Sequence, residues 1–128
     1  MAEPFDGKTV LIVDDDADMV TAVAAMFEDT GVVIKKAGDG NTALQIAQND
    51  NPDLIILDLM LPKRSGLLVL EKLKAKKPRG TKPYVIMITG NPGTRHKQFA
   101  ESLGVDGYLH KPFRMEKLVD LARELLAR

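Results

Sequence analysis

Five short runs of apolar residues, each ended by a polar side chain, divide this chain into strand-sized and helix-sized pieces. Thr9-Val10-Leu11-Ile12-Val13 stops at Asp14-Asp15-Asp16, Leu54-Ile55-Ile56-Leu57 stops at Asp58, and Tyr84-Val85-Ile86-Met87-Ile88 stops at Thr89. Shorter runs lie at Val32-Val33-Ile34 and at Gly107-Tyr108-Leu109-His110, the latter followed by Lys111 and Pro112. Runs without polar alternation fit parallel strands covered on both faces. Between them the period lengthens to that of a helix. Met19, Val23, Met26 and Phe27 predict a first helix, capped by Asp16 or Asp18 and stopped by Gly31. After the turn Gly38-Asp39-Gly40, Asn41 is the predicted N-cap of a helix carrying Ala43, Leu44, Ile46 and Ala47 and closed by Asn51-Pro52. Leu67, Leu70 and Leu73 mark a third, and about Thr94 to Leu103 a weakly patterned fourth. Met115, Leu118, Val119, Ala122, Leu125 and Leu126 fall at offsets 0, 3, 4, 7, 10 and 11, the clearest amphipathic helix of the chain.

Strands alternating with helices predict a parallel sheet covered on both faces. With right-handed crossovers, the expected fold is a flavodoxin-like (βα)5 three-layer sandwich of strand order 2-1-3-4-5. In that order the first and third strands are neighbours, so Asp14-Asp15-Asp16 and Asp58 meet at one sheet edge with Thr89 and Lys111 beside them. Lys63-Arg64-Ser65-Gly66 and Gly90-Asn91-Pro92-Gly93 read as loops. The basic stretch Lys72, Lys74, Lys76, Lys77, Arg79 and Lys82 reads as a helix end and connector with a solvated face.

Composition narrows the function. A chain of 128 residues with 45% hydrophobic content is expected to form one domain, 1–128, with its core at about 8–127. Lys plus Arg equal Asp plus Glu at 18 each, so no overall field favours nucleic acid or an anionic membrane, and direct nucleic-acid binding is not expected. Cysteine is absent, which removes disulfide and thiol chemistry. The apolar runs fall far short of the roughly 20 residues of a membrane span, and no signal core precedes Lys8; a soluble, cytoplasmic protein is expected. His96 and His110 lack partners at metal-ligand spacing and read as surface residues.

Converging carboxylates repel one another unless a cation neutralises them, and hard oxygen donors suit Mg²⁺ best, with Mn²⁺ as the alternative. Asp14 and Asp15 would anchor the ion. Asp58 would be either a further ligand or a nucleophile that accepts a phosphoryl group as an acyl phosphate. A lysine ammonium and a hydroxyl nearby are what phosphoryl transfer needs, because charge spreads over the peripheral oxygens. Lys111 and Thr89 would supply them, while Asp16 reads as a helix cap.

Val13-Asp14-Asp15-Asp16, Leu57-Asp58 followed by Met60-Leu61-Pro62 and Gly66, Ile88-Thr89-Gly90, and Gly107-Tyr108-Leu109-His110-Lys111-Pro112-Phe113 together resemble the receiver domain of two-component response regulators. The resemblance covers essentially the whole chain. It implies that Asp58 is the phosphoacceptor, taking its group from a sensor histidine kinase or a phosphotransfer protein. It further implies that Asp14 and Asp15 hold Mg²⁺ with a backbone carbonyl from Met60, that Thr89 is the switch hydroxyl and Tyr108 a rotating aromatic, and that Lys111 binds the phosphate beside a cis Pro112. Output is then expected through the fourth helix, fifth strand and fifth helix, to a partner protein or a second copy of the chain. The chain ends at Arg128 after the fifth helix, as a stand-alone receiver or as part of a longer regulator.

Two other functions compete. A pseudo-receiver would keep the fold as an interaction module without phosphorylation; the complete set Asp14, Asp15, Asp58, Thr89 and Lys111 argues against it. A haloacid-dehalogenase-type phosphotransferase would use Asp14 as nucleophile and Asp16 as acid. It needs a further acidic pair beyond its lysine, where this chain has Pro112, Phe113 and an amphipathic helix.

Overall fold

A computed structural model of the chain describes residues 5–75, 81–90 and 95–127. Five strands, β1 (Thr9–Val13), β2 (Val33–Ala37), β3 (Leu54–Asp58), β4 (Tyr84–Thr89) and β5 (Gly107–His110), alternate with five helices. These are α1 (Ala17–Ala25), α2 (Gly40–Asp50), α3 (Gly66–Leu73), α4 (Arg95–Ser102) and α5 (Met115–Leu126). All strand pairs are parallel and the order is β2-β1-β3-β4-β5, the expected doubly wound sheet.

Alternation along the strands divides the core in two. Val10, Ile12, Leu54, Ile56, Ile86 and Ile88 pack with Val23, Leu118 and Leu125 on the α1 and α5 side. Leu11, Val13, Ile55, Leu57, Val85 and Met87 pack with Ala43, Leu70 and Ala100 on the other. Every residue of β3 and β4 is buried, which is why these strands read as unbroken apolar runs. Phe5 closes one end of the first layer, its ring edge-on to Phe27 at 5.3 Å and under the Arg123 guanidinium at 5.3 Å.

Several boundaries differ from the sequence reading. β2 runs from Val33 to Ala37 rather than Val32 to Ile34, because its register follows β1 from Thr9↔Val33 to Val13↔Ala37. It is an edge strand, where Lys35 and Lys36 are tolerated. α1 ends at Ala25, ahead of Gly31; Met26, Phe27 and Glu28 donate to carbonyls three residues back, tightening the chain into successive turns. α2 is capped by Asp39 rather than Asn41. Only Asp39 stands the three residues ahead of Thr42 that the bond requires, and it accepts from the Thr42 N–H at 2.8 Å and the Thr42 hydroxyl at 3.0 Å.

The largest departure is in the basic stretch. Lys72 and Lys82 are exposed, Lys82 pairing with Asp53 at 3.0 Å, and Lys76, Lys77 and Arg79 lie outside the described residues, as do Asn91 to Thr94. Lys74, however, is buried, with 3% of its surface exposed. Its ammonium donates to the Thr81 carbonyl at 2.8 Å, the Pro83 carbonyl at 3.3 Å and Asp106 Oδ2 at 3.1 Å. Asp106 Oδ2 also accepts from the Val85 N–H at 2.9 Å. This ion pair ties the end of α3 to the starts of β4 and β5. Among the described residues, no helix is long and apolar enough to cross a membrane.

Candidate functional site

Parallel strands put their C-terminal tips at one edge, and the chain concentrates its acids there. Asp14 follows β1 directly and is buried; its N–H donates to the Ala37 carbonyl at 3.1 Å, which fixes the turn. Asp58 is the last residue of β3, 4% exposed. Asp15 is exposed beside them. One carboxylate oxygen from each of Asp14, Asp15 and Asp58 lies within 4.8 Å of the others. Asp16 stands apart from this group. It caps α1, accepting from the Asp18 N–H at 3.0 Å and the Met19 N–H at 3.4 Å, while its own N–H donates to Asp14 Oδ1 at 3.0 Å.

Lys111 reaches across from the end of β5. Its ammonium lies 3.3 Å from Asp14 Oδ2 and 3.9 Å from Asp58 Oδ1. The Lys111 N–H donates to the Thr89 carbonyl at 2.7 Å, so the lysine is anchored to the strand end that carries the buried Thr89. The Lys111-Pro112 peptide bond is cis. Met60 has an exposed side chain, but its N–H donates to Asp58 Oδ1 at 3.3 Å.

Burial and the neighbouring Asp14 carboxylate push the Asp58 carboxyl up to about 6, against the downward pull of Lys111 and the Met60 N–H. A single ammonium therefore does not balance three carboxylates. Three hard oxygen donors within reach of one point, carrying excess negative charge, fit a divalent cation such as Mg²⁺. The cluster could hold a metal.

Tyr108 is half-buried against the α2–α4 side, its ring edge-on to His110 at 5.4 Å. The phenol hydroxyl is buried and meets no hydrogen-bond partner among the described residues, and burial pushes its ionisation upward. His96 and His110 take no part in the acid cluster.

Sequence reasoning missed how tightly the loop after Asp58 is seated. A methyl group added at Gly66 would run into the Asp58 carbonyl oxygen and stand 2.7 Å from Leu59 Cα. The Gly66 N–H donates to the Leu59 carbonyl at 2.8 Å, closing residues 59–66 into a collar beneath the carboxylate. Only a glycine permits that approach. The signal was a Gly eight positions after the acid, legible as a motif member but not as a contact.

The family model for the response regulator receiver domain matches residues 10–123. The chain is 38% identical over 120 residues to the probable transcriptional regulatory protein TcrX of Mycobacterium tuberculosis, covering 94% of this chain and 50% of that protein. It is 34% identical over 121 residues to the alkaline phosphatase synthesis transcriptional regulatory protein PhoP of Bacillus subtilis, covering 94% and 49%. The chain thus spans about half the length of these curated relatives. Among solved structures, a CheY-like response regulator receiver domain protein from Methanospirillum hungatei superposes with a TM-score of 0.85 at 29% identity, covering 94% of each chain. With the acids, the hydroxyl and the lysine gathered at one sheet edge in this fold, the chain belongs to the response regulator receiver domain family.

Proposed function

We propose that this chain, as one receiver domain, is a phosphorylation-activated switch that accepts a phosphoryl group on Asp58 from a sensor histidine kinase or phosphotransfer protein. The observation that carries this reading is the Asp14, Asp15 and Asp58 cluster with the Lys111 ammonium against two of its members. An Asp58 carboxylate oxygen attacks the donor phosphorus, a new P–O bond forms, and the donor's bond to phosphorus breaks with its electron pair leaving on the donor. Asp14, Asp15, Asp58 and the Met60 carbonyl would hold Mg²⁺, which when bound would supply charge neutralisation for the incoming oxygens. Lys111 turns from the carboxylates towards the new phosphoryl oxygens, and Thr89 offers its hydroxyl to another. Tyr108 then reports the change through the α4-β5-α5 face to an output partner or a second copy. The curated relatives carry names of transcriptional regulators, so the output of a longer protein containing this domain is proposed to be transcriptional. Asp16 accepts from the Asp18 and Met19 N–H groups as the cap of α1, a structural role that supports the receiver reading over the dehalogenase-type one.

Incubation with Mg²⁺ and acetyl phosphate, followed by intact-mass measurement, should show one labile phosphoryl adduct that maps to Asp58 and is prevented by EDTA. An adduct on Asp14, or one that forms unchanged in EDTA, contradicts the reading. No adduct under any condition favours the pseudo-receiver. Lys111→Met should slow adduct formation about a hundredfold, the scale for losing one preorganised group that stabilises developing charge. It should also shift the Asp58 titration, followed by carboxyl NMR, further above its wild-type position, since Lys111 is a downward influence on it. A wild-type rate in this variant would remove Lys111 from the reaction.

A further inference from the structure

The loop that carries Met60 is gripped from two sides, and the second grip comes from an element with no residue in the acid cluster. Gly40, the first residue of α2, is buried against the far side of this loop. A methyl added there would stand 2.6 Å from the Arg64 carbonyl oxygen, 2.8 Å from Arg64 Cβ and 2.9 Å from Val69 Cγ2. Beside it the Asp39 cap carboxylate lies 3.9 Å from the Lys63 ammonium. Within the loop, Lys63 holds the left-handed conformation with φ 68°, and the Arg64 N–H donates to the Pro62 carbonyl at 2.7 Å. The chain from Leu59 to Gly66 is thus pressed between the start of α2 and the end of β3, with Gly40 and Gly66 as the two contact points. Neither backbone wall can swing aside as a side chain could.

We infer that Gly40 is a positioning residue for the phosphoacceptor site: the start of α2 sets where the β3–α3 loop places the Met60 backbone relative to Asp58. The inference rests on the receiver reading above. It makes a displacement at the start of α2 a change in metal binding and phosphoryl acceptance.

Gly40→Ala tests it, read by Mg²⁺ titration, the rate of adduct formation from acetyl phosphate, and thermal melting. Loss of an outer support of a metal site typically costs ten- to a hundredfold in affinity. The Mg²⁺ Kd should rise about tenfold and the rate fall about tenfold well below the melting temperature. Gly38→Ala is the control, because a methyl there meets nothing within 4 Å; both quantities should stay within twofold of wild type. Adding Val69→Ala to Gly40→Ala frees the side-chain contact but leaves the Arg64 backbone in place, so the defect should persist. The inference is overturned if Gly40→Ala melts lower with Kd and rate unchanged, or if Val69→Ala restores both. Should Gly40→Ala fail to fold, wild-type amide NMR decides: on Mg²⁺ titration the Gly40 and Met60 amides should shift with one common Kd, and an unmoved Gly40 refutes the coupling. A wild type that neither binds Mg²⁺ nor forms an adduct would refute the receiver-site reading first, and this inference with it.

Discussion

Asp58→Asn should abolish the phosphoryl adduct and at the same time make the metal-free protein more stable at neutral pH. The first effect follows from chemistry: a neutral amide cannot supply the carboxylate nucleophile of an acyl phosphate. The second follows from the site's charge. Folding raises the Asp58 carboxyl from its ordinary value of 3.8 to about 6, so the native state holds this proton more tightly than the unfolded chain. Between those two values the native state binds more protons, and stability therefore falls as pH rises. Above about pH 6 the whole penalty is present, on the order of 1–3 kcal/mol. The asparagine variant should escape it, melting higher than wild type at pH 7.5 and no higher near pH 4. Adding Mg²⁺ should narrow the gap, because a ligand bound only by the native state stabilises wild type more than a variant lacking one of the donors. Equal melting of the two proteins at pH 7.5 without metal would show that Asp58 carries no such strain.

Lys74→Ala should be the most destabilising single change outside the apolar core, costing roughly 3–5 kcal/mol, or about 10–20 °C in Tm. The wild-type ammonium serves two carbonyls and one carboxylate in a space closed to water. Its removal leaves the Asp106 carboxylate buried without this cation and the Thr81 and Pro83 carbonyls without this donor. Asp106→Asn keeps an acceptor for the Val85 N–H while discharging the site. The double variant Lys74→Met with Asp106→Asn should therefore recover part of the loss, with a coupling of at least about 1 kcal/mol in a double-mutant cycle. A loss of Tm below about 4 °C for Lys74→Ala, or strict additivity, would show that the pair contributes little.

The contrast between these residues separates what the sequence alone reveals from what only the fold brings together. The strand Leu54–Asp58 announces itself because burial on both faces needs apolar residues at every position, and a carboxylate at its end then stands out. The same logic located Asp14, Thr89 and Lys111, since a parallel sheet collects strand tips at one edge whatever the helices do. β2 was misplaced because an edge strand has no such demand and its Lys35-Lys36 pair hides the register. Lys74 was unreadable for a different reason: it stands in a run of lysines that reads as one solvated face, and its burial depends on Asp106, 32 positions away, and on two backbone carbonyls. Asn41 and Asp39 are equally good caps by type; only the turn that places Asp39 opposite the Thr42 amide separates them. Gly40 and Gly66 carry no side chain, so the walls they touch leave no trace in a pattern of polar and apolar positions.

The acid cluster and its lysine come from chain segments 97 positions apart, Asp14 and Lys111, with Asp58 between them. No hairpin, helix pair or half-sheet of this chain contains the site, so it exists only when the sheet is complete from β1 to β5. Whatever free energy an ion or a phosphoryl group contributes there is felt by the whole molecule rather than by one loop. Amides at the sheet's centre, such as those of Ile56 and Ile86, should thus gain hydrogen-exchange protection in step with occupancy of a site at its rim.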